Sequence, residues 1–191
     1  MIKKYKIIYG GSINIILKYQ LNENDIEIIN ILKNTIFKDK LKYKLDILIP
    51  NTKINKNHFP KSINMGKKVK SNQIIICFKD GDKIISFLDV HFQANGLNNK
   101  KTAQINYGWS NSNYRRQGFS KLLRIILIHL LVKLQVNYLI SIPYQSAFSN
   151  AILDYLRFET YQENDSIRFL DINKIDSKIY LEKANDILSS I

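Results

Sequence analysis

The chain has 191 residues, of which 45% are hydrophobic and 24% are charged, proportions ordinary for a globular domain with a buried core. Its 29 Lys and Arg residues outnumber 16 Asp and Glu residues, and the formal net charge of +13 favours anionic ligands. The basic residues are scattered among abundant Ile and Asn, so the charge alone identifies no partner.

The cysteine content and the apolar segments of the chain indicate the cellular compartment. Cys77 is the only cysteine, which excludes an internal disulfide and favours a reducing compartment. It lies in an apolar strand pattern typical of a buried, inert thiol. The N-terminus lacks the apolar core of a signal peptide, and the most apolar run, 122–136, is too short and too charged to span a bilayer. We expect a soluble cytoplasmic protein.

The first third of the chain predicts a strand, a helix and a long connection. Residues 4–9 form a strand pattern, and residues 12–20 favour neither helix nor strand. Cap-type and acidic residues precede an apolar run and lysines follow it, which predicts a helix over about 24–38. The Asn- and Lys-rich stretch 51–71 is interpreted as a connecting loop that shapes a substrate entrance.

An antiparallel meander follows. Strands are predicted over 73–79, 82–93 and 102–109, with Asp80 and Gly81 as the first turn. Alternation along the second strand assigns its side chains to two faces. One face carries Ile84, Ser86, Leu88, Val90 and Phe92, and the other carries Ile85, Phe87, Asp89 and His91.

The second half predicts helices over 118–135 and 146–156, with a strand over 137–142 between them. The first of these helices is apolar around most of its circumference, which indicates burial on more than one side. Two closing strands are predicted over 166–172 and 178–182. The order of elements predicts a single α/β domain over residues 1–191, with a mixed, mostly antiparallel sheet flanked by helices.

The most informative segment is the basic turn from Tyr114 to Leu123 that opens the apolar helix. Unpaired N–H groups and the helix dipole make such a turn an anion site. Arg115 and Arg116 carry donors that match phosphate oxygens, and Gly118 lets the backbone approach a ligand closely. The segment predicts a pyrophosphate-bearing cofactor; the alternative is a solvated basic helix start.

In this context the chain from Gln73 to Lys183 resembles the GCN5-related N-acetyltransferase (GNAT) superfamily. Arg115 and Gly118 match its motif of Gln or Arg, two residues, Gly, one residue, and Gly or Ala, while Ser120 departs from it in the last position. Residues 178–183 resemble the family's last strand. The resemblance implies acetyl-CoA as co-substrate, no metal, and a fourth and fifth strand that splay to admit the cofactor. The cofactor-binding residues it implies are Gly108, Trp109, Ser110, Arg115, Arg116, Gln117, Gly118, Phe119 and Ser120.

The implied reaction is direct transfer of an acetyl group to a primary amine of an unidentified acceptor. An ammonium must first lose a proton, and Asp89 and His91 share a strand face from which either can accept it. The alternative for both is a polar pair on a half-exposed strand. The family usually has a tyrosine that protonates the leaving thiolate, and the resemblance aligns this position with Leu153. Tyr144, Tyr155 or water is left as the general acid. Tyr155 lies two residues from that position, a rotation of about 200° on a helix.

Two other functions are considered. Leu153 motivates a catalytically weakened module that binds acyl-CoA. The net charge and eleven tyrosines motivate a nucleic-acid-binding protein, although no clustered stripe of Arg and aromatic residues supports it. We expect acetyl-CoA and an amine acceptor as partners and no membrane, with a homodimer left open.

Overall fold

A computed structural model describes residues 5–9, 12–37, 41–60, 66–142, 147–162 and 164–190. The helices in these ranges are α1 Glu23–Thr35, α2 Phe119–Lys133, α3 Ala147–Tyr155 and α4 Ser177–Leu188. The strands are β1 Tyr5–Tyr9, β2 Ser12–Ile16, β3 Lys44–Leu48, β4 Gln73–Asp80, β5 Lys83–Gln93, β6 Thr102–Ser110, β7 Tyr138–Ser141, β8 Glu159–Tyr161 and β9 Asn164–Asp171. None of the described helices combines the length and apolar character that a membrane span needs.

Seven of the strands form one sheet in the order β3-β4-β5-β6-β7-β9-β8, and β1 and β2 form a separate antiparallel pair. Within the large sheet β6 and β7 are parallel and the other described pairs are antiparallel. The parallel pairing joins Thr102–Ile105 to Tyr138–Ser141. Beyond Ile105, β6 continues to Ser110 without pairing to β7, so the sheet opens there. The mixed, mostly antiparallel α/β sheet is therefore confirmed, with its splayed parallel pair.

Helix α2 is the crossover between the parallel strands and forms the centre of the core. Residues 122–128 of this helix are all buried, so two turns of it have no exposed face. It packs against β4, β5 and β6 on one side and also contacts α1 and α4. This burial on several sides is what its uniformly apolar sequence predicted.

The opposite face of the sheet is covered by the connection between β3 and β4. Ile54, Phe59 and Val69 from this connection pack with Cys77 and Phe87 in a second apolar cluster. Burial raises the pKa of the Cys77 thiol to about 12, in line with an inert thiol. The described part of the connection covers the sheet and is not among the residues that line the cavities discussed below.

A β-bulge near the start of β5 changes which face its first residues occupy. Phe78 pairs with Ser86 and Lys79 pairs with Ile84, so Ile85 is the extra residue. Ile84 therefore joins the cluster that contains Phe87, and Ile85 joins the helix-side core. The predicted faces were wrong for these two residues because a bulge breaks the period of two. They hold for Leu88, Val90 and Phe92.

A second bulge interrupts the pairing of β5 with β6. Asp89 pairs with Tyr107 and Val90 pairs with Ile105, which leaves Asn106 as the extra residue. Ile105 lies in the helix-side core, whereas Tyr107 packs on the other face, where its ring stacks on Phe87 at a centroid distance of 5.9 Å. The bulge thus lies at the point where β6 leaves β7.

The closing strand predicted over 178–182 is wrong, because these residues belong to α4. The Asp176 side chain accepts a hydrogen bond from the Lys178 backbone N–H and caps the helix. Tyr180, Ala184 and Ile187 are buried at intervals of four and three residues, which is a helical period. The resemblance of residues 178–183 to the family's last strand is therefore wrong as well.

Smaller differences concern short elements. The sequence did not predict β3, whose central Asp46 side chain binds the ammonium groups of Lys33 and Lys79. It also did not predict β8, which has three residues. The first hairpin turn is formed by Gly81 and Asp82, one residue later than predicted, with Gly81 at φ 57°.

Candidate active site

A cavity of about 760 Å³ lies between the start of α2, the end of β6, α3 and α4. Its size falls in the range of ligand pockets, roughly 300–1,000 Å³. It is lined by all nine residues that the sequence predicted to bind a cofactor: Gly108, Trp109, Ser110, Arg115, Arg116, Gln117, Gly118, Phe119 and Ser120. The fold thus brings the end of β6 and the basic turn together around one space.

The turn before α2 presents backbone donors to this cavity. Gly118 caps the helix at φ 84°, and Arg116 has φ 65°, so two left-handed residues bend the chain tightly around the helix start. The first hydrogen bond of the helix runs from Leu122 N to Gly118 O at 2.9 Å. The N–H groups of Phe119 and Ser120 therefore lack an acceptor within the helix, as required of an anion site.

Neighbouring side chains hold the turn in place. The Tyr114 hydroxyl donates a hydrogen bond of 2.8 Å to Asp80 Oδ2, which links the turn to the β4–β5 hairpin. The rings of Tyr43, Tyr114 and Phe119 pack edge to face, and Phe119 also contacts Phe78. These contacts preorganise the turn before any ligand binds.

Gly118 is needed for packing as well as for its backbone conformation. A Cβ atom built on it would lie 2.6 Å from Ile187 Cγ2 of α4. The sequence interpretation gave this glycine a role in ligand approach alone. In the structure its side-chain position is taken up by α4, so substitution at Gly118 acts first on folding.

A second cavity of about 60 Å³ adjoins the first in the opening between β6 and β7. The two share Gly108, Arg124 and Ser149 in their linings. Asn106 and Leu153 also line the smaller one. Together the cavities form a path from the basic turn into the splayed strands, which suits an elongated ligand with an anionic end.

Arg124 projects between the two cavities and was missed as a site residue by sequence reasoning. Its Nη1 donates hydrogen bonds to Ser120 O at 3.0 Å and to Ser120 Oγ at 2.5 Å, while its buried Nε has no hydrogen-bond partner. No carboxylate among the described residues forms an ion pair with it. Burial lowers the pKa of this guanidinium to about 10. The available signal was an arginine inside the otherwise apolar run 122–136.

Asp89 is the centre of a buried polar cluster on the sheet. Gln73 Nε2 donates to Asp89 Oδ1 at 2.6 Å, and Asn106 Nδ2 donates to Asp89 Oδ2 at 3.0 Å. His91 Nε2 lies 3.3 Å from Asp89 Oδ1 but is not aligned for a hydrogen bond. Burial alone would raise the pKa of Asp89, but His91 and the two amides outweigh it and hold the pKa below its usual value.

The predicted pair of Asp89 and His91 is therefore brought together; Asp89 lies one hydrogen bond away from the smaller cavity, and His91 is not among the residues that line either cavity. Asn106 makes this link, because it lines the cavity and donates to Asp89. The bulge at Asn106 frees the residue from pairing with β5. Gln104, on the same strand, instead accepts a hydrogen bond of 2.8 Å from Gln93 Nε2.

Of the two tyrosines proposed as acids, the structure describes Tyr155, which is not brought to this place. Tyr144 lies outside the described residues. Tyr155 is absent from the lining of both cavities, and the ammonium groups of Lys121 and Lys183 both lie over its ring. Leu153 lines the smaller cavity and is 1% exposed. Tyr107 also contributes to that lining and was not considered from the sequence, because the bulge determines its orientation.

Comparisons with known proteins support the fold. No protein-family model matches the chain, and a sequence search of curated proteins found no match. A solved KacTA–DNA complex aligns at 10% identity and a TM-score of 0.54, over 76% of this chain and 99% of that one. A mutant of the AtaT toxin, bound to the C-terminus of the antitoxin AtaR and to acetyl-CoA, aligns at 8% identity and a TM-score of 0.51, over 76% and 99% of the two chains.

A third solved structure has a shorter alignment. It is a putative acetyltransferase of the GNAT family from Desulfovibrio desulfuricans, at 9% identity and a TM-score of 0.44, over 53% of this chain and 69% of that one. In the part of the chain that the structure describes, the parallel pair that opens beside a crossover helix and the basic turn at the start of that helix agree with the resemblance found in the sequence, whereas the last strand at 178–183 does not. The chain shares its fold with the solved KacTA and AtaT structures.

Proposed function

We propose that this protein is an acetyl-CoA-dependent N-acetyltransferase that transfers an acetyl group directly to a primary amine. One observation carries the proposal: the nine residues expected to hold the donor line a single cavity that continues into the opening between β6 and β7. A solved toxin of similar fold, the AtaT mutant, holds acetyl-CoA.

The residues of the cavity fit such a donor. The backbone N–H groups at the start of α2 would hold the pyrophosphate, with Arg115 and Arg116 adding charge. The backbone of β6 around Gly108, free of β7, would pair with the amides of the pantetheine arm. Arg124 offers an unpaired donor on the same path, and a buried cation of this kind is stabilised by a polar or anionic ligand group.

The chemistry requires a neutral amine next to the thioester. Acetyl-CoA supplies the thioester carbonyl, so a C–N bond forms, the C–S bond breaks and sulfur leaves as a thiolate. His91 accepts the amine proton, directly or through water, and the ionised Asp89 stabilises the imidazolium that results. The thiolate takes a proton from water, because Leu153 stands where the family usually has tyrosine and the ring of Tyr107, which also contributes to the lining, is stacked on Phe87.

Leu153 favours a second candidate function, a module that binds acyl-CoA without turnover. Its side chain is buried and cannot donate a proton, so thiolate departure loses the assistance that a positioned acid gives. This candidate shares the cavity with the first and differs only in catalysis.

The test combines binding and turnover. Calorimetry with CoA and with acetyl-CoA is expected to give saturable binding, and a panel of primary amines with acetyl-CoA is expected to release free thiol. Binding without thiol release from any amine would favour the module over the transferase. The absence of binding at millimolar concentration would overturn both.

A further inference from the structure

A cluster of cations surrounds the Tyr155 ring, outside the set of residues that the proposed function uses. Lys121 Nζ lies 4.3 Å from the ring centroid and Lys183 Nζ lies 3.9 Å from it. The three residues come from α2, α3 and α4, so the cluster forms only in the folded chain. The aromatic face draws both ammonium groups to one place.

This cluster borders the large cavity on the side of the helix start. Lys121 itself lines the cavity. Ile152 precedes Tyr155 by three residues on α3, Ile187 follows Lys183 by four residues on α4, and both isoleucines line the cavity. One helical turn is about 5.4 Å, so the ring and its cations lie about one turn from the cavity wall.

The local charge is positive and only partly compensated. Burial lowers the pKa of Lys183, and repulsion from Arg157 and Lys121 lowers it further. Asp186 is the carboxylate that opposes these charges at Lys183 and at Tyr155. Asp154, also on α3, is paired with Arg168. Among the described residues, three cations against one carboxylate leave an excess that an anion would neutralise.

Arg157 occupies a backbone position that normally suits glycine. Its N–H donates to Asp154 O at 2.9 Å and the Phe158 N–H donates to Leu153 O at 2.9 Å, which is the Schellman pattern at the end of α3. Its φ is 62°, in the left-handed region that glycine enters freely. An exposed arginine is thus kept at a strained position beside the other two cations.

We propose that Lys121, Lys183 and Arg157 form a subsite for a phosphate monoester, the 3′-phosphate on the ribose of the CoA donor. The inference rests on the proposed function, because it assumes that the pyrophosphate lies at the start of α2. From there the ribose phosphate would reach the cluster along the wall formed by Lys121, Ile152 and Ile187. The subsite distinguishes CoA from the same molecule without its 3′-phosphate.

The experiment measures the dissociation constants of CoA and 3′-dephospho-CoA for the full chain by calorimetry at low ionic strength. We expect CoA to bind about tenfold more tightly, with a preference that shrinks as salt screens the contact. Inorganic phosphate alone serves as a further ligand and is expected to bind far more weakly than CoA. Equal affinities for CoA and 3′-dephospho-CoA, or phosphate binding as tight as CoA binding, would overturn the subsite.

Single substitutions test whether Lys121, Lys183 and Arg157 cause the preference for CoA over 3′-dephospho-CoA. Arg157→Gly removes a cation while relieving a strained φ, so a reduced preference together with unchanged or higher stability supports the subsite. Lys121→Met and Lys183→Met are expected to reduce the preference about threefold each. The matched control is Lys133→Met, at the other end of α2 and about 18 Å from Lys121, which should leave it unchanged.

The outcomes separate the two proposals. A preference that survives in Arg157→Gly, Lys121→Met and Lys183→Met would overturn the assignment of these residues. If 3′-dephospho-CoA and CoA bind equally well, the subsite is wrong and the proposed function stands. If neither binds, the proposed function is wrong and the subsite falls with it.

Discussion

Gly118 and Ile187 fit together so closely that a Cβ atom on the glycine would lie 2.6 Å from Ile187 Cγ2. Gly118→Ala is therefore expected to destabilise the protein by about 1–3 kcal/mol, because the variant combines a steric clash with a residue at φ 84°. Urea unfolding of the variant measures the effect.

A double-mutant cycle separates the two causes. In an Ile187→Ala background the clash is gone, so Gly118→Ala should cost less than in the parent and only the backbone strain should remain. Strictly additive losses would contradict the packing relationship. Such a result would assign the whole effect to φ.

Arg124→Met is expected to weaken CoA binding about tenfold while leaving the free energy of unfolding unchanged or raising it. The substitution replaces a buried cation that has no ionic partner among the described residues with an apolar side chain of similar length. Calorimetry and urea unfolding give the two quantities. Loss of stability with intact CoA binding would instead assign Arg124 to holding Ser120 in the first turn of α2.

Asp89→Asn is expected to lower turnover at least tenfold with little change in CoA affinity. The amide keeps the shape of the cluster but cannot stabilise a protonated His91. Steady-state kinetics and calorimetry on the same preparation measure both effects. Gln104→Ala is the matched control, since Gln104 is tied to Gln93 and should leave turnover unchanged.

Stability is expected to fall below about pH 4, where Asp46 and Asp89 become protonated. Burial opposes ionisation of Asp46, but hydrogen bonds from Lys33 and Lys79 outweigh it and lower its pKa, and the pKa of Asp89 is lowered likewise. A carboxyl group whose pKa is lower in the folded state than in the unfolded state, where it is about 3.9, stabilises the protein fully at pH values above that unfolded-state pKa. This stabilisation is lost as the pH falls through the pKa of the folded state.

The variant Asp46→Asn checks this dependence. It should lower the stability at pH 7 and make the decline between about pH 5 and pH 2 shallower than in the parent. Thermal unfolding at a series of pH values measures both changes. An equally steep decline in the variant would remove Asp46 from the explanation.

Cys77 is expected to resist thiol reagents in the native protein at neutral pH and to react at the rate of unfolding. Burial raises the pKa of its thiol to about 12, so both the thiolate and access to it are lacking. Labelling followed by mass spectrometry over a urea series measures the rate. Rapid labelling without urea would contradict the burial of β4.

Local signals predicted the parts of the structure that depend on neighbouring residues. The apolar run of α2, the β4–β5 hairpin and the basic turn are each encoded within about twenty residues, and the turn and β6 supplied the nine cavity residues. The two bulges were not predicted, because the extra residues Ile85 and Asn106 are defined by pairing with another strand. That is why the face of Ile84 and the cavity role of Tyr107 were missed.

Other misses arose from contacts distant in sequence. Residues 178–182 alternate enough to suggest a strand, but burial of Tyr180 and Ile187 against the rest of the core selects a helix. In the sequence Arg124 is only an interruption of an apolar run. In the structure it lines both cavities because β6 and β7 separate beside it. The sequence makes Tyr155 a candidate acid, whereas in the structure its ring contacts lysines from two other helices.

The extra residue at Asn106 makes the length of β6 as important as its composition. Ile105 and Tyr107 lie on opposite faces because of this one insertion. Deleting Asn106 would return the strand to a regular alternation with Tyr107 directly after Ile105, so Tyr107 would keep its stack on Phe87. What the deletion would remove is the amide that joins the smaller cavity to Asp89, so the inserted residue serves the site and not the order of the faces.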